Sequence, residues 1–272
     1  MFIDSKVVKA EKWAKKMRIK ALQLALSTGK NGSHVGGGMS AMEIFAVLYS
    51  GIVNNNKEIC KEVIRDRVII SKGHGVLAYY TALWLAGFIT DEELDTFDKN
   101  GTHFYGHPCR CLDKGIEFSA GSLSLGVSYG VGVALSCRLN NLNNRIFVVL
   151  GDGECNEGLV WESLMAAVNF NLCNLTLIVD SNGFQLDGDT RDVMNMFSLE
   201  EKFKAFGFHT IIVDGHSCKE LADALSMSFS SPQVIIAKTV KGKGIVSLEK
   251  NKLAHHCVLS QEQYDDAIKS LM

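Results

Sequence analysis

An apolar run, Ile146 to Leu150, ends abruptly in Gly151-Asp152-Gly153-Glu154, and the next such run, Leu175 to Val179, ends in Asp180-Ser181-Asn182-Gly183-Phe184. An aspartate and an asparagine at the mouths of neighbouring strands offer hard oxygen donors to one Mg²⁺. That ion keeps few protein ligands and fills its octahedron with phosphate oxygens and water. The flanking glycines let backbone approach a diphosphate closely, and a helix expected to begin near Gly158 turns its positive end toward an anion. A tight strand-to-helix turn capped by aspartate would explain Gly-Asp-Gly alone; Asn182 on the next strand is what favours a metal-diphosphate site. A dinucleotide fingerprint is ruled out, because no Gly-x-Gly-x-x-Gly follows any strand.

Positioning these residues requires a particular scaffold. Apolar, β-rich runs recur at Val68–Ser71, Ile146–Leu150, Leu175–Val179, Thr210–Val213 and Val234–Ala237. They do not alternate polar with apolar residues, so they read as strands buried on both faces. Helical stretches lie between and after them, at Val76–Ala86, Leu123–Leu139, Leu159–Asn169, Lys219–Ser228 and Gln261–Ser270. Strand–helix–strand order predicts an α/β fold with a doubly wound, mostly parallel sheet flanked by helices. Ligands in such sheets bind beyond the carboxyl ends of the strands, where Asp152 and Asn182 fall. Without repeats, low-complexity segments or a Pro/Ser-rich linker, residues 1–272 read as a single domain.

Composition narrows the function. A content of 47% hydrophobic and 21% charged residues, with 25 glycines and two prolines, belongs to a folded core rather than a disordered chain. The formal net charge of −2 gives no basis for a nucleic-acid or anionic-membrane partner. The cationic run from Lys9 to Lys20 shares its segment with an apolar stripe of Trp13, Met17, Ala21 and Leu24, and reads as the wet face of an amphipathic helix. Eight cysteines without a Cys-x-x-Cys pair argue against a zinc or Fe–S centre. No signal-peptide shape and no long uncharged apolar run are present, so the expectation is a cytoplasmic protein with reduced thiols.

Further motifs make a resemblance specific. Gly151 to Glu162 reads Gly-Asp-Gly-Glu-Cys-Asn-Glu-Gly-Leu-Val-Trp-Glu; Ser71-Lys72-Gly73-His74-Gly75, Gly106-His107-Pro108, Gly121-Ser122-Leu123 and Thr239-Val-Lys-Gly-Lys-Gly244 accompany it in order. Together they resemble the transketolase family along nearly the whole chain. The resemblance implies thiamine diphosphate as cofactor and Mg²⁺, or another divalent cation such as Ca²⁺ or Mn²⁺, held by Asp152, Asn182 and the carbonyl of Phe184. It also implies that Gly153 gives its backbone to the diphosphate and Lys241 offsets part of its charge. Gly121, Ser122 and Leu123 would cover the cofactor rings. His74, His255 and Glu157 would also reach the cofactor, Glu157 pairing with Glu162 near a subunit interface.

Four of the eight histidines, His34, His74, His107 and His255, fall in matching motifs and are the implied catalytic set. Imidazole titrates near neutral pH, and ketol transfer must hand off and take back hydroxyl protons. His103, His209 and His216 carry no such support. Two motifs depart from the family: Ser33 precedes His34 where glycine is usual, and Ala254-His255-His256-Cys257 stands where Trp-His-Gly is typical. Arg110, Cys109 and Cys111 are also unusual, near what the family uses as its substrate entrance.

The family's activating glutamate lies on a pyrimidine-binding domain, followed by a C-terminal domain, and neither has a counterpart here. The expectation is therefore an N-terminal transketolase subunit that transfers a two-carbon ketol unit from a ketose, or ketose phosphate, to an aldose acceptor. It would work with a separate C-terminal subunit, as a dimer of this chain and a heterotetramer with the partner. The alternatives are a related thiamine enzyme, of the deoxyxylulose-phosphate-synthase or 2-oxoacid-dehydrogenase α-subunit type, and a non-catalytic cofactor-binding module.

Overall fold

The computed structural model describes residues 2–249 and 254–271. Five strands, β1 (Arg67–Ile70), β2 (Ile146–Gly151), β3 (Leu175–Ser181), β4 (His209–Asp214) and β5 (Gln233–Lys238), form one sheet in the order β1-β2-β3-β5-β4. Every neighbouring pair is parallel. The principal helices are α1 (Phe2–Ser27), α2 (Val35–Ser40), α3 (Met42–Val47), α4 (Val76–Leu85) and α5 (Leu125–Leu139). They continue with α6 (Gly158–Asn169), α7 (Leu199–Ala205), α8 (Cys218–Ser226) and α9 (Gln261–Leu271).

Side chains alternate across the sheet into two cores, as a strand's period of two requires. Val68, Ile70, Phe147, Val149, Ile178 and Ile235 point to one face and pack with α1, α3, α4 and α8. Ile69, Val148, Leu150, Leu177, Val179 and Ile236 point to the other, against α5, α6 and α7. The sheet is thus a layer between two layers of helices. One expectation fails at β4, whose apolar run reads as buried on both faces. It is an edge strand, and Ile212 within it is 45% exposed, where its face of the sheet opens into a surface hollow.

Helix α1 seats Ala14, Met17, Ala21 and Leu24 in the core, at the three- and four-residue spacing of one helical face. Its cationic run is not uniformly wet: Arg18 is buried against Glu43 on α3. The loops that carry Lys72 and His74, Asp152, Asn182 and Lys241 leave the carboxyl ends of β1, β2, β3 and β5. Gly151 of β2 lies in register with Asp180 of β3, so Asp152 and Asn182 emerge side by side.

Candidate active site

Beyond that edge lies a cleft of about 270 Å³. Asp152, Gly153, Asn182 and Phe184 line part of it, and His74, His107 and His255, with Gly121 and Leu123, line another part; His34 is not among the lining residues. Asp152 is buried, its two oxygens accepting from the amides of Gly153 at 2.9 Å and Gly183 at 2.7 Å. Asn182 Oδ1 accepts from Phe184 N at 3.0 Å, curling the chain so that the residues after β3 turn back over the cleft. The helix expected at Gly158 begins there, but a 3₁₀ turn, Gly153–Asn156, stands between it and Asp152 and supplies the cleft wall instead.

The histidines come from four separate segments. His34 precedes α2, His74 sits in the 3₁₀ turn after β1, His107 precedes Pro108, and His255 lies in the segment before α9. An antiparallel bridge between Ser33 and Cys257, with N···O distances of 3.0 Å in both directions, clips the first of these to the last. The His34 ring centre is 4.8 Å from that of His107, 5.4 Å from His255 and 6.2 Å from His74, while His74 and His255 are 4.8 Å apart. His256, for which the motifs imply no role, joins the group edge-on to His34 at 4.7 Å. Among the described residues no three His, Cys, Asp or Glu side chains converge as a metal cage.

The family assignment follows from comparison. Residues 10–271 match the transketolase thiamine-diphosphate-binding domain. The chain belongs to the transketolase family. It is the thiamine-diphosphate-binding part of a transketolase-type transferase. It is 38% identical to the 6-deoxy-6-sulfo-D-fructose transketolase subunit of Clostridium sp. (strain MSTE9), covering 89% of this chain and 90% of that one. Identity to an apulose-4-phosphate transketolase subunit of Phocaeicola vulgatus is 34%, over 88% of this chain and 85% of the relative. The transketolase of Campylobacter jejuni superposes with a TM-score of 0.87 at 27% identity, covering 98% of this chain and 43% of that one. Against human transketolase the identity is 32%, and the chain spans 41% of that protein's length.

In this transketolase domain the site is electrostatically unusual. Burial pushes Asp152 up to about 6, helped by the nearby charge of Asp180 and opposed by the two amides. No lysine or arginine among the described residues lies within ion-pair distance of it. A buried carboxylate so placed, beside an amide oxygen, suits a hard divalent cation. Gly153 has no room for a side chain: a Cβ there would come 2.5 Å from Cγ of Gln185, another cleft residue. The residues present therefore fit a metal diphosphate.

Burial likewise lowers the imidazoles. His34 falls to about 3, with His107, His255 and His256 adding to the effect, and His255 falls to about 4, with Lys241 and Lys72 adding. Burial and Lys72 hold His74 well below the usual range, and burial lowers His107, with Asp98 opposing. Neutral imidazoles can accept hydroxyl protons without placing fixed positive charge in the cleft.

Other sequence-selected residues fall outside the cleft lining. Lys241 is buried and donates to the Gln185 carbonyl at 2.9 Å; burial, then Lys72, lowers its pKa to about 8. Ser122 lies between two lining residues. Glu157 and Glu162 are exposed at the start and on the outer face of α6. Arg110 is exposed and lines a separate surface hollow with Arg65 and Glu117.

Sequence reasoning misses two hubs. Glu154, conspicuous in the sequence only as part of a motif, is buried and accepts from Ser124 N at 2.7 Å, Gly151 N at 3.0 Å and the Ser71 hydroxyl. It thereby fixes Ser124, whose φ of +72° is a strained backbone for a non-glycine residue. Lys72 and Asp180 form a fully buried ion pair. Lys72 also donates to the Gly37 carbonyl at 3.0 Å, and Asp180 accepts from Ser40 Oγ at 2.6 Å and the Thr239 hydroxyl. Burial alone would raise the Asp180 carboxyl, but Lys72 and these donors hold it below the ordinary range. The only sequence signal for either hub is a charged residue at, or within a few residues of, the end of an apolar strand.

Proposed function

We propose that this chain is the N-terminal subunit of a two-chain transketolase, transferring a two-carbon ketol unit from a ketose or ketose phosphate to an aldose acceptor. The carrying observation is that His74, His107 and His255 line a cleft that also holds Asp152 and Asn182, with the His34 ring packed against all three imidazoles. Asp152, Asn182 and the Phe184 carbonyl hold Mg²⁺, or Ca²⁺ or Mn²⁺ in its place, and Gly153 and Lys241 receive the diphosphate. Bound thiamine diphosphate supplies the electron sink for cleaving a carbon–carbon bond beside a carbonyl. His34, His107 and His255 bind substrate hydroxyls and move their protons, while His74 and the Gly121-Ser122-Leu123 loop orient the cofactor rings. The buried base of the cleft, around Lys72, keeps water away from these groups.

A separate C-terminal subunit provides the pyrimidine-binding and C-terminal domains. Several features support this. Three relatives of similar length are named as subunits, and the chain spans 41% of human transketolase. The cleft carries the exposed Leu186 on its rim, and α6 turns Glu162 and Met165 outward together. A self-associating dimer, completed to a heterotetramer, would cover these surfaces. A reducing, cytoplasmic setting agrees with eight cysteines in no disulfide; no helix among the described residues is long and apolar enough to cross a membrane.

The test is a ketol-transfer assay over a panel of ketoses and aldoses, with light scattering, on the chain alone and co-expressed with its genomic neighbour. Activity only in the pair, as a complex of two copies of each chain, is expected. A monomer of this chain that transfers ketol groups unaided would refute the split-enzyme reading.

A further inference from the structure

His216 carries no functional signal in the sequence, yet its ring is one of the most constrained outside the cleft. It follows β4 and lies half-buried between α3 and the loop from Thr239 to Gly244. Its Nδ1 is 2.9 Å from Glu43 Oε2, and its Nε2 is 2.9 Å from the backbone nitrogen of Val240. The Val240 amide can only donate, so Nε2 accepts, and the ring's single proton lies on Nδ1 and is donated to Glu43. On the far side of Glu43, Arg18 grips the same carboxylate through two nitrogens, at 2.8 and 3.1 Å. The Nε of Arg18 then donates to the Lys243 carbonyl at 3.2 Å. One carboxylate thus reaches the loop twice, at Val240 and at Lys243.

Lys241 stands between those two anchor points. Two glycines of the loop, Gly242 and Gly244, have φ of +75° and +91°, and Gly242 N also donates to the Gly36 carbonyl at 3.1 Å, so the loop's course depends on contacts with other elements. The bond from Lys241 Nζ to the Gln185 carbonyl ties it to the cleft. We propose that His216 is a positioning residue: its Nε2, as the acceptor for Val240, and the Arg18 bond to Lys243 hold the loop on both sides of Lys241 and so aim that ammonium at the diphosphate, Glu43 serving only to orient the two side chains. This rests on the reading above that Lys241 serves the diphosphate.

The two ring nitrogens can be replaced one at a time. In His216→Gln the side-chain oxygen reaches the place of Nε2 and can still accept from Val240. In His216→Asn the amide reaches only the place of Nδ1, keeping Glu43 and leaving the Val240 amide without its acceptor. Hydrogen exchange at Val240 in the cofactor-free chain should be near wild type for His216→Gln and at least about tenfold faster for His216→Asn. Calorimetry with thiamine diphosphate and Mg²⁺, on the chain with its partner subunit, should show Kd within about threefold for Gln and about tenfold weaker for Asn. The Asn effect on Kd should disappear in a Lys241→Met background, since the clamp would then have nothing to aim.

Equal losses for Gln and Asn would mean a merely structural ring and overturn the proposal. So would an unchanged Val240 exchange rate in His216→Asn, or a loss of affinity that persists in Lys241→Met. If Lys241→Met alone leaves Kd unchanged, the diphosphate role of Lys241 fails, and with it the aiming role of His216. The exchange comparison would then still decide whether His216 anchors the loop.

Discussion

Asp152 and His107 separate two jobs that meet in one cleft. Asp152 has backbone donors but no cationic side-chain partner among the described residues, so its charge awaits a metal. Asp152→Ala should weaken thiamine-diphosphate binding in Mg²⁺ by more than about 100-fold, beyond what removing a merely supporting group costs. Calorimetry showing unchanged affinity would sink the metal assignment. His107 lines the same cleft with its ring centre 4.8 Å from that of His34. His107→Ala should lower turnover of the assembled enzyme by about 10²–10⁴-fold, as for a positioned acid–base group, with cofactor Kd nearly intact. Turnover within a few-fold of wild type would remove His107 from the catalytic set.

Helix α2 is short and glycine-rich because other elements press against it. A Cβ on Gly36 would fall 1.7 Å from the carbonyl oxygen of Ala254, and one on Gly37 would fall 2.6 Å from the His74 ring. Backbone cannot yield as a flexible side chain can, so Gly36→Ala must push the His255 segment away from His34. A stability loss of about 1–3 kcal/mol is expected from the overpacking, with a further fall in cofactor affinity. Gly132, on the exposed face of α5, has nothing within 4 Å of its would-be Cβ. Gly132→Ala should instead stabilise by about 0.5–1 kcal/mol, because alanine is the better helix former. Urea melts of the two variants should move in opposite directions.

Bringing five imidazoles together against a buried ion pair has a consequence for the whole fold. His34 titrates near 3 when folded, chiefly through burial, against an ordinary value of 6.5. A depressed folded value means stability is full above pH 6.5 and is lost as pH falls toward about 3, because the unfolded chain takes up the proton first. The raised carboxyls of Asp152 and Glu154 act in the opposite sense, so the wild-type curve is a sum of both. The variant isolates the histidine: the urea midpoint of His34→Gln, relative to wild type, should climb as pH is lowered from 6.5 to 4. A constant difference across that range would show that His34 is not held neutral by the fold.

Much of this is legible in the residues because the signals are local. Continuous apolar runs announce the five strands within a residue or two, and glycines beside Asp152 and Asn182 mark the turns where backbone must approach a ligand. Strand order is not legible, since β5 inserts between β3 and β4 and no short pattern marks that insertion. That insertion is what leaves Ile212 on an edge. His216 and Arg18 look like solvated polar residues in the sequence because their common partner, Glu43, comes from a third part of the chain. Glu154 and the Lys72–Asp180 pair are hidden for the same reason: burial and long-range hydrogen bonding decide a charged residue's role, and both exist only once the chain has closed on itself.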